Sequence, residues 1–185
     1  RSSNDFDYGY GIYTIGQTGL VTGNKFSDAN IGLVLYETEI TAFKNFLFNL
    51  RGGIALVNSN SSVRKNEIFT LTENIGSGIY ISAFDYSYRP TIDSNYIETK
   101  SKGIDKSFGA RPIIINNTIV LRNANTGIKL SLADTVDVFN NIIYSENGVE
   151  AIYNSGARYL QLFNNYATGN FPFTVAHVFL VGSDN

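Results

Sequence analysis

An asparagine followed two residues later by an apolar side chain recurs along this chain at Asn24/Phe26, Asn45/Leu47, Asn66/Ile68, Asn95/Ile97, Asn117/Ile119, Asn141/Ile143 and Asn165/Ala167. Successive asparagines lie 21, 21, 29, 22, 24 and 24 residues apart. A second marker keeps the same phase. Upstream of the asparagines stand glycine and an apolar residue: Gly11-Ile12, Gly32-Leu33, Gly53-Ile54, Gly78-Ile79, Gly103-Ile104, Gly127-Ile128 and Gly148-Val149. A fixed period of twenty to thirty residues is the signature of a solenoid, in which each repeat buries its apolar face only against its neighbours.

The best-formed repeat unit, Ile113-Ile114-Ile115-Asn116-Asn117-Thr118-Ile119-Val120, shows what one turn contains. An apolar run halts at an asparagine pair and resumes at once, which reads as strand, sharp polar corner, strand. With the glycine-led strand, each period holds three short strands and three corners. Such a period closes into one rung stacked on the next by parallel pairing at about 4.8 Å. Alternation then directs Ile12, Leu33, Ile54, Ile79, Ile104, Ile128 and Val149 inward, and Tyr13, Val34, Ala55, Tyr80, Asp105, Lys129 and Glu150 outward. Stacked corner asparagines can satisfy one another's amides in a hydrogen-bonded ladder. The sequence therefore predicts an all-β parallel β-helix of about seven to eight rungs. Residues 1–185 are read as one domain, with regular rungs over about 11–168 and an irregular strand or tail over 169–185.

Composition agrees and narrows the chemistry. With 43% hydrophobic and 16% charged residues the chain is globular, and no apolar run approaches the roughly 20 residues of a bilayer span. A net charge of −2 gives no reason to expect nucleic acid. Cysteine and methionine are absent and histidine occurs once, at His177, so neither a disulfide frame nor a thiolate or histidine cluster is available. Lack of methionine further suggests an excised piece of a longer protein. Twenty-two asparagines and 17 glycines favour tight turns over helices.

With these repeats, Gly-Ile-x-Leu, a strand and Asn-Asn-x-Ile, the chain resembles the right-handed parallel β-helix proteins of the pectate-lyase-like superfamily, from about Gly11 to Ala167. The resemblance implies the fold; an extracellular or cell-surface location is expected with the binding reading below. It leaves function open among polysaccharide lyases, hydrolases, tailspikes, adhesins and silent binding proteins.

Two residue groups stand out. The fourth rung inserts Ala83-Phe84-Asp85-Tyr86-Ser87-Tyr88-Arg89-Pro90. In an extended loop Phe84, Tyr86 and Tyr88 would share one face, and Tyr36, Tyr80 and Tyr153 fall on the same side of the cylinder. Exposed aromatics on a rigid scaffold suit sugars, because a ring covers C–H groups while a phenol reaches hydroxyls; the alternative is a plug folded back over the sheet. This set points to a polysaccharide, such as cellulose or pectin, as partner.

The second group is the row Asp105, Lys129 and Glu150, with Arg89 and Arg111 preceding their corner asparagines at matching distance. By the resemblance, a lyase acting on uronic acids would hold calcium with Asp105 and Glu150 and abstract a proton with Lys129, Arg89 or Arg111. Carboxylates beside Lys129 would raise its pKa and make it a poorer base, so a plain cross-strand ion-pair ladder is the competing account. A hydrolase would need a pair from Asp85, Asp93, Asp105, Asp134 and Asp137, which the register scatters. The expectation is therefore binding without catalysis and without a cofactor, calcium entering only with lyase activity. A structural β-helix of a phage fibre or adhesin is a further alternative. The open solenoid ends call for a flanking domain or partner chain.

Overall fold

The structure is a computed structural model. It describes residues 9–70, 76–124, 126–133, 135–145 and 150–168, and the backbone of 173–175 and 179–180. The long corner expected at 71–75, Asp134, Gly148, Val149 and His177 lie outside the described residues.

Three parallel sheets run the length of the molecule, and each rung contributes one strand to each. The first has eight strands, from Tyr10–Ile15 through Gly52–Val57 and Lys102–Phe108 to Phe173–Val175. The second also has eight, from Thr18–Thr22 to Phe179–Leu180, and the third seven, from Lys25–Ser27 to Tyr166–Ala167. Because strands of one sheet are separated by the other two, the chain is a right-handed parallel β-helix. Two short strands in the tail extend the first two sheets.

Register builds the core as columns. Leu33, Ile54, Ile79, Ile104, Ile128 and Ile152 stack inside the first sheet. Val63, Ile92, Ile114, Val138 and Leu162 stack inside the second. Phe26, Leu47, Ile68, Ile97, Ile119 and Ile143 stack inside the third. Nearly all are sealed from water, each contributing roughly 1.5–3 kcal/mol of burial.

The asparagines form the expected ladder at the corner between the second and third sheets. Asn45 Nδ2 donates to Asn66 Oδ1 (3.0 Å), Asn66 to Asn95 (3.0 Å), Asn95 to Asn117 (3.0 Å), Asn117 to Asn141 (3.0 Å) and Asn141 to Asn165 (2.9 Å). Each of these carbonyl oxygens also accepts the preceding asparagine's backbone N–H, and each amide donates a second time to a backbone carbonyl one rung back, as Asn117 does to Ile92 O at 3.0 Å. The buried amides are thus fully used. The residue just before each ladder asparagine holds φ near +50° (Lys44, Lys65, Ser94, Asn116, Asn140, Asn164), a left-handed turn that asparagine adopts more readily than most side chains. The Asn-Asn pair therefore combines a corner former with a ladder member.

One phase differs from the expected. In the seventh rung the equivalents of Gly127-Ile128 are Ala151-Ile152. Ile128 pairs with Ile152 and Lys129 with Tyr153, so Ala151 takes the glycine position and Glu150 faces Thr126.

Candidate functional site

The corner between the first and second sheets departs most from the regular pattern. On the second rung only Glu37 and Thr38 separate the strands, whereas on the fourth the chain needs residues 83–90. This insertion is not extended. Asp85 accepts hydrogen bonds from the Ser87 N–H (2.8 Å) and hydroxyl (2.5 Å), which close a turn and hold the Asp85 carboxyl below its usual range. The preceding rung grips the loop through Phe84 N–H to Asn58 Oδ1 (2.8 Å) and Arg89 N–H to Asn60 Oδ1 (2.7 Å). The following rung grips it through Ala110 N–H to Asp85 O (2.9 Å) and Arg111 N–H to Tyr88 O (2.7 Å).

Because of the turn, the three loop aromatics do not share a face. Tyr88 folds back against the core, while Phe84 and Tyr86 remain 75% and 41% exposed. The loop thus divides between the two expected arrangements, Tyr88 taking the plug position and the other rings facing water.

Tyr88 closes a cleft of about 220 Å³ with Glu37, Thr38, Glu39, Asn58 and Asn60. These residues come from three successive rungs. Glu37 and Glu39 are exposed carboxylates. Asn58 is 1% exposed; its oxygen accepts the Phe84 N–H, and its amide approaches the Tyr36 phenol without a well-aligned hydrogen bond. The Tyr36 phenol lies beside this cleft, where the charge of Glu37 raises its pKa and the Asn58 amide opposes the rise.

Of the remaining aromatics expected in one face, Tyr80 borders a separate apolar groove of about 230 Å³ with Ile31, Gly52 and Ala55. Tyr153 stands three rungs along the same column, next to Lys129. Tyr88 therefore lines the cleft and Tyr36 stands beside it, whereas Tyr80 and Tyr153 do not join them.

The lyase set does not assemble. Asp105 is buried and its carboxylate takes the Lys102 ammonium. Lys129 lies between Asp105 and Tyr153 in register, and Glu150 is out of the row for the reason given above. Arg89 turns its guanidinium to Asp137 (3.0 Å), on the second sheet, and Arg111 precedes the second-sheet strand Ile113–Ile115. The described candidate hydrolase aspartates, Asp85, Asp93, Asp105 and Asp137, are equally dispersed. Asp93 is engaged by Arg64 (3.1 Å), Ser94 (2.7 Å) and Asn116 (3.1 Å). Burial opposes its ionisation, but these hydrogen bonds prevail and keep its pKa low.

Two features escaped the sequence reading. On the outer face of the third sheet Phe46, Phe69 and Tyr96 form a ring ladder, with centroids 5.5 and 5.6 Å apart, beside Phe48 and the Lys25 ammonium 5.0 Å over its ring. Phe46 and Tyr96 directly follow ladder asparagines, a position that could have announced an outward column. The other is Lys106. In the interior column Leu35, Leu56, Ile81, Lys106, Leu130, its ammonium is buried and donates to Ser131 O and Leu132 O, both at 2.8 Å. The interruption of an otherwise apolar column was the available signal.

The fold and cleft define an all-β solenoid with a polar corner site and no converging catalytic carboxylates among the described residues. The model of the NosD family, described as periplasmic copper-binding protein, matches residues 1–173, and the chain belongs to that family. No curated protein and no solved structure is similar enough to the chain to count as a match. A periplasmic family agrees, in the coarse sense of lying outside the cytoplasm, with the expected extracellular or cell-surface location. The expectation of no cofactor, or of calcium alone, is overturned by a family described as copper-binding. The described residues do not themselves compose a copper site. Copper favours thiolate, thioether and imidazole ligands; cysteine and methionine are lacking, and the described residues hold no group of three His, Cys, Asp or Glu side chains placed to share an ion.

Proposed function

We propose that this NosD-family β-helix acts outside the cytoplasm, at the cell surface or in the periplasm, as a binding surface for polysaccharide that does not cleave it. The observation that carries this reading is the loop 83–90. Its backbone is fixed from both neighbouring rungs while Phe84 and Tyr86 project into water. Ordered, exposed rings bind a sugar face at little entropic cost, since the loop is already in place. The dispersal of Lys129, Arg89, Arg111 and the aspartates supports binding over catalysis.

The test is affinity electrophoresis and pull-down on cellulose and other insoluble glycans, with Phe84→Ala/Tyr86→Ala as the variant. Retention is expected to weaken about tenfold, which corresponds to roughly 1.4 kcal/mol, with circular dichroism unchanged. Equal retention of the variant would count against the proposal.

The family's description supports a second reading, a role in copper handling. Equilibrium dialysis against Cu(I) and Cu(II) with metal quantification distinguishes it. Stoichiometric copper on this chain would favour it, with ligands to be sought beyond the described residues.

A further inference from the structure

We propose that the outer face of the third sheet is a track for one chain of an acidic polysaccharide, whose anionic groups meet Lys25, Lys44 and Lys65 while its sugar rings cross the ladder Phe46, Phe69 and Tyr96. The track lies on a different side of the solenoid from the loop 83–90, which joins the first sheet to the second. It takes a glycan defined by its charge, and it stands or falls separately from the corner site.

Strand alternation sets two outward columns along this seven-stranded sheet. At its first rungs one column reads Lys25, Phe46, Glu67, Tyr96, and beside it Phe48 pairs with Phe69 and Phe69 with Glu98. Phe46, Phe69 and Tyr96 lean on one another across the columns with their planes tilted by 51° and 46°, so each ring is ordered yet keeps part of its surface in water. Further along the face Ile142, Tyr144 and Tyr166 are exposed. Six steps of about 4.8 Å make this strip roughly 29 Å long, and three residues of strand make it about 10 Å wide. An area of roughly 300 Å² is well short of the 800 Å² that each partner contributes to a stable protein interface, which sets aside a second copy of the chain as the occupant. A long, narrow strip of ordered rings suits a single linear polymer with rings of its own.

Charge decides which polymer. Lys44 and Lys65 occupy the same left-handed corner position on successive rungs and line a cleft of about 380 Å³ with Asn45, Phe46 and Glu67. Lys25 lies over the rings of Phe46 and Phe48, at 5.8 and 5.0 Å, and Lys44 over Phe43 at 5.1 Å. All three lysines are exposed, and among the described residues none pairs with a carboxylate. An ammonium held over a ring is placed in space while its N–H donors stay available to a second partner. The acids of the same face are fewer. Glu98 is taken by Arg122 (3.1 Å) and the Tyr96 hydroxyl (3.0 Å), and Asp28, at the far edge, accepts from Asn49, which leaves Glu67 against three ammoniums. In a chain of net charge −2 this end is therefore locally positive, the complement of an anion. Carboxylates or sulfates on pyranose rings answer both the ammoniums and the aromatic ladder.

The experiment is titration calorimetry of the intact chain, at low and at high salt, with four probes. Hexagalacturonate carries carboxylates, sulfated cellohexaose carries sulfates, cellohexaose is neutral, and hexaglutamate is an anion without sugar rings. Lys25→Gln/Lys44→Gln/Lys65→Gln removes the charges, and Phe46→Leu/Tyr96→Leu removes rings while keeping an apolar surface. Circular dichroism and melting curves establish that each variant is folded. The expected result is that one or both acidic hexasaccharides bind about tenfold tighter than cellohexaose and hexaglutamate and weaken as salt is added. The lysine variant is expected to lose about tenfold for them and the ring variant about fivefold, while Phe84→Ala/Tyr86→Ala leaves their affinity unchanged.

Cellohexaose binding as tightly as the acidic sugars would overturn the track because charge is not read, and hexaglutamate doing so would overturn it because rings are not. Acidic sugars that lose affinity in Phe84→Ala/Tyr86→Ala but not in the lysine variant would place the anion at the corner and overturn it as well. Phosphatidylglycerol vesicles or oligothymidylate held more tightly than either acidic hexasaccharide would overturn it in favour of a membrane surface or a single-stranded nucleic acid. In each case cellulose retention that depends on Phe84 and Tyr86 leaves the corner reading standing, and acidic sugars bound through the lysines without any cellulose retention leave the track standing alone.

Discussion

At the scale of single residues, the ladder asparagines differ in how much they support. Asn117 holds four hydrogen bonds to its neighbours through one amide, donating to Asn141 and Ile92 and accepting twice from Asn95. Asn117→Ala leaves buried partners on both sides unpaired and is expected to cost on the order of 3 kcal/mol. Asn24, at the end of the ladder and partly exposed, donates to Asn45 and Thr22, and Asn24→Ala is expected to cost about 1 kcal/mol. Chemical denaturation of the two variants measures the contrast, and equal losses would mean that the ladder does not act as a buried network. Lys106 is the other residue whose environment sets its behaviour. Burial lowers its pKa from 10.5 to about 8. Between those values the unfolded chain holds the proton and the folded chain does not, so the folded state gains stability as pH rises from about 8 towards 10.5. In Lys106→Met this gain should disappear. The difference in denaturation midpoint between wild type and variant, followed from pH 7 to pH 10, reads it directly.

At the scale of elements, the strand that opens each rung begins where two backbones nearly touch. A Cβ on Gly103 would lie 2.5 Å from the carbonyl oxygen of Gly127 and 2.5 Å from Ile119 Cγ2. Gly103→Ala should therefore cost about 3 kcal/mol through overpacking, measurable as a lowered melting temperature; a neutral outcome would show that the rungs can separate locally. This contact explains why the strands were legible in the sequence. Glycine, apolar columns and paired asparagines each answer to a constraint that repeats every turn, so the pattern reasserts the same geometry from Ile12 to Leu162. The seventh rung was misplaced because its glycine position is filled by Ala151, so Gly148 offered a false phase. The loop turn was illegible for a different reason. It depends on Asp85 capping Ser87 and on amide oxygens of Asn58 and Asn60 one rung away, contacts that no local pattern announces. The cleft shares that origin, since Glu37, Asn58 and Tyr88 approach one another only once rungs two, three and four are stacked.

At the scale of the whole molecule, stability accumulates rung by rung through nearest-neighbour contacts. Asn117 and Asn141 are 24 residues apart and bonded to one another, and Ile113 lies against Asp137 in the second sheet. Excision of residues 113–136 joins Pro112 to Asp137 and restores one continuous ladder and one continuous set of columns. The shortened chain is expected to keep a β-rich circular dichroism spectrum and a single melting transition, whereas excision of half that length should abolish it. The long insertion at 83–90 sits on a different corner from the asparagines. Lengthening that corner adds only a slowly growing closure entropy, while lengthening the asparagine corner would sever the amide chain. The body thus behaves as a ruler whose graduations are fixed and whose fittings can be exchanged along one edge: variation in what is gripped can accumulate there, and reach is altered by adding or removing whole graduations.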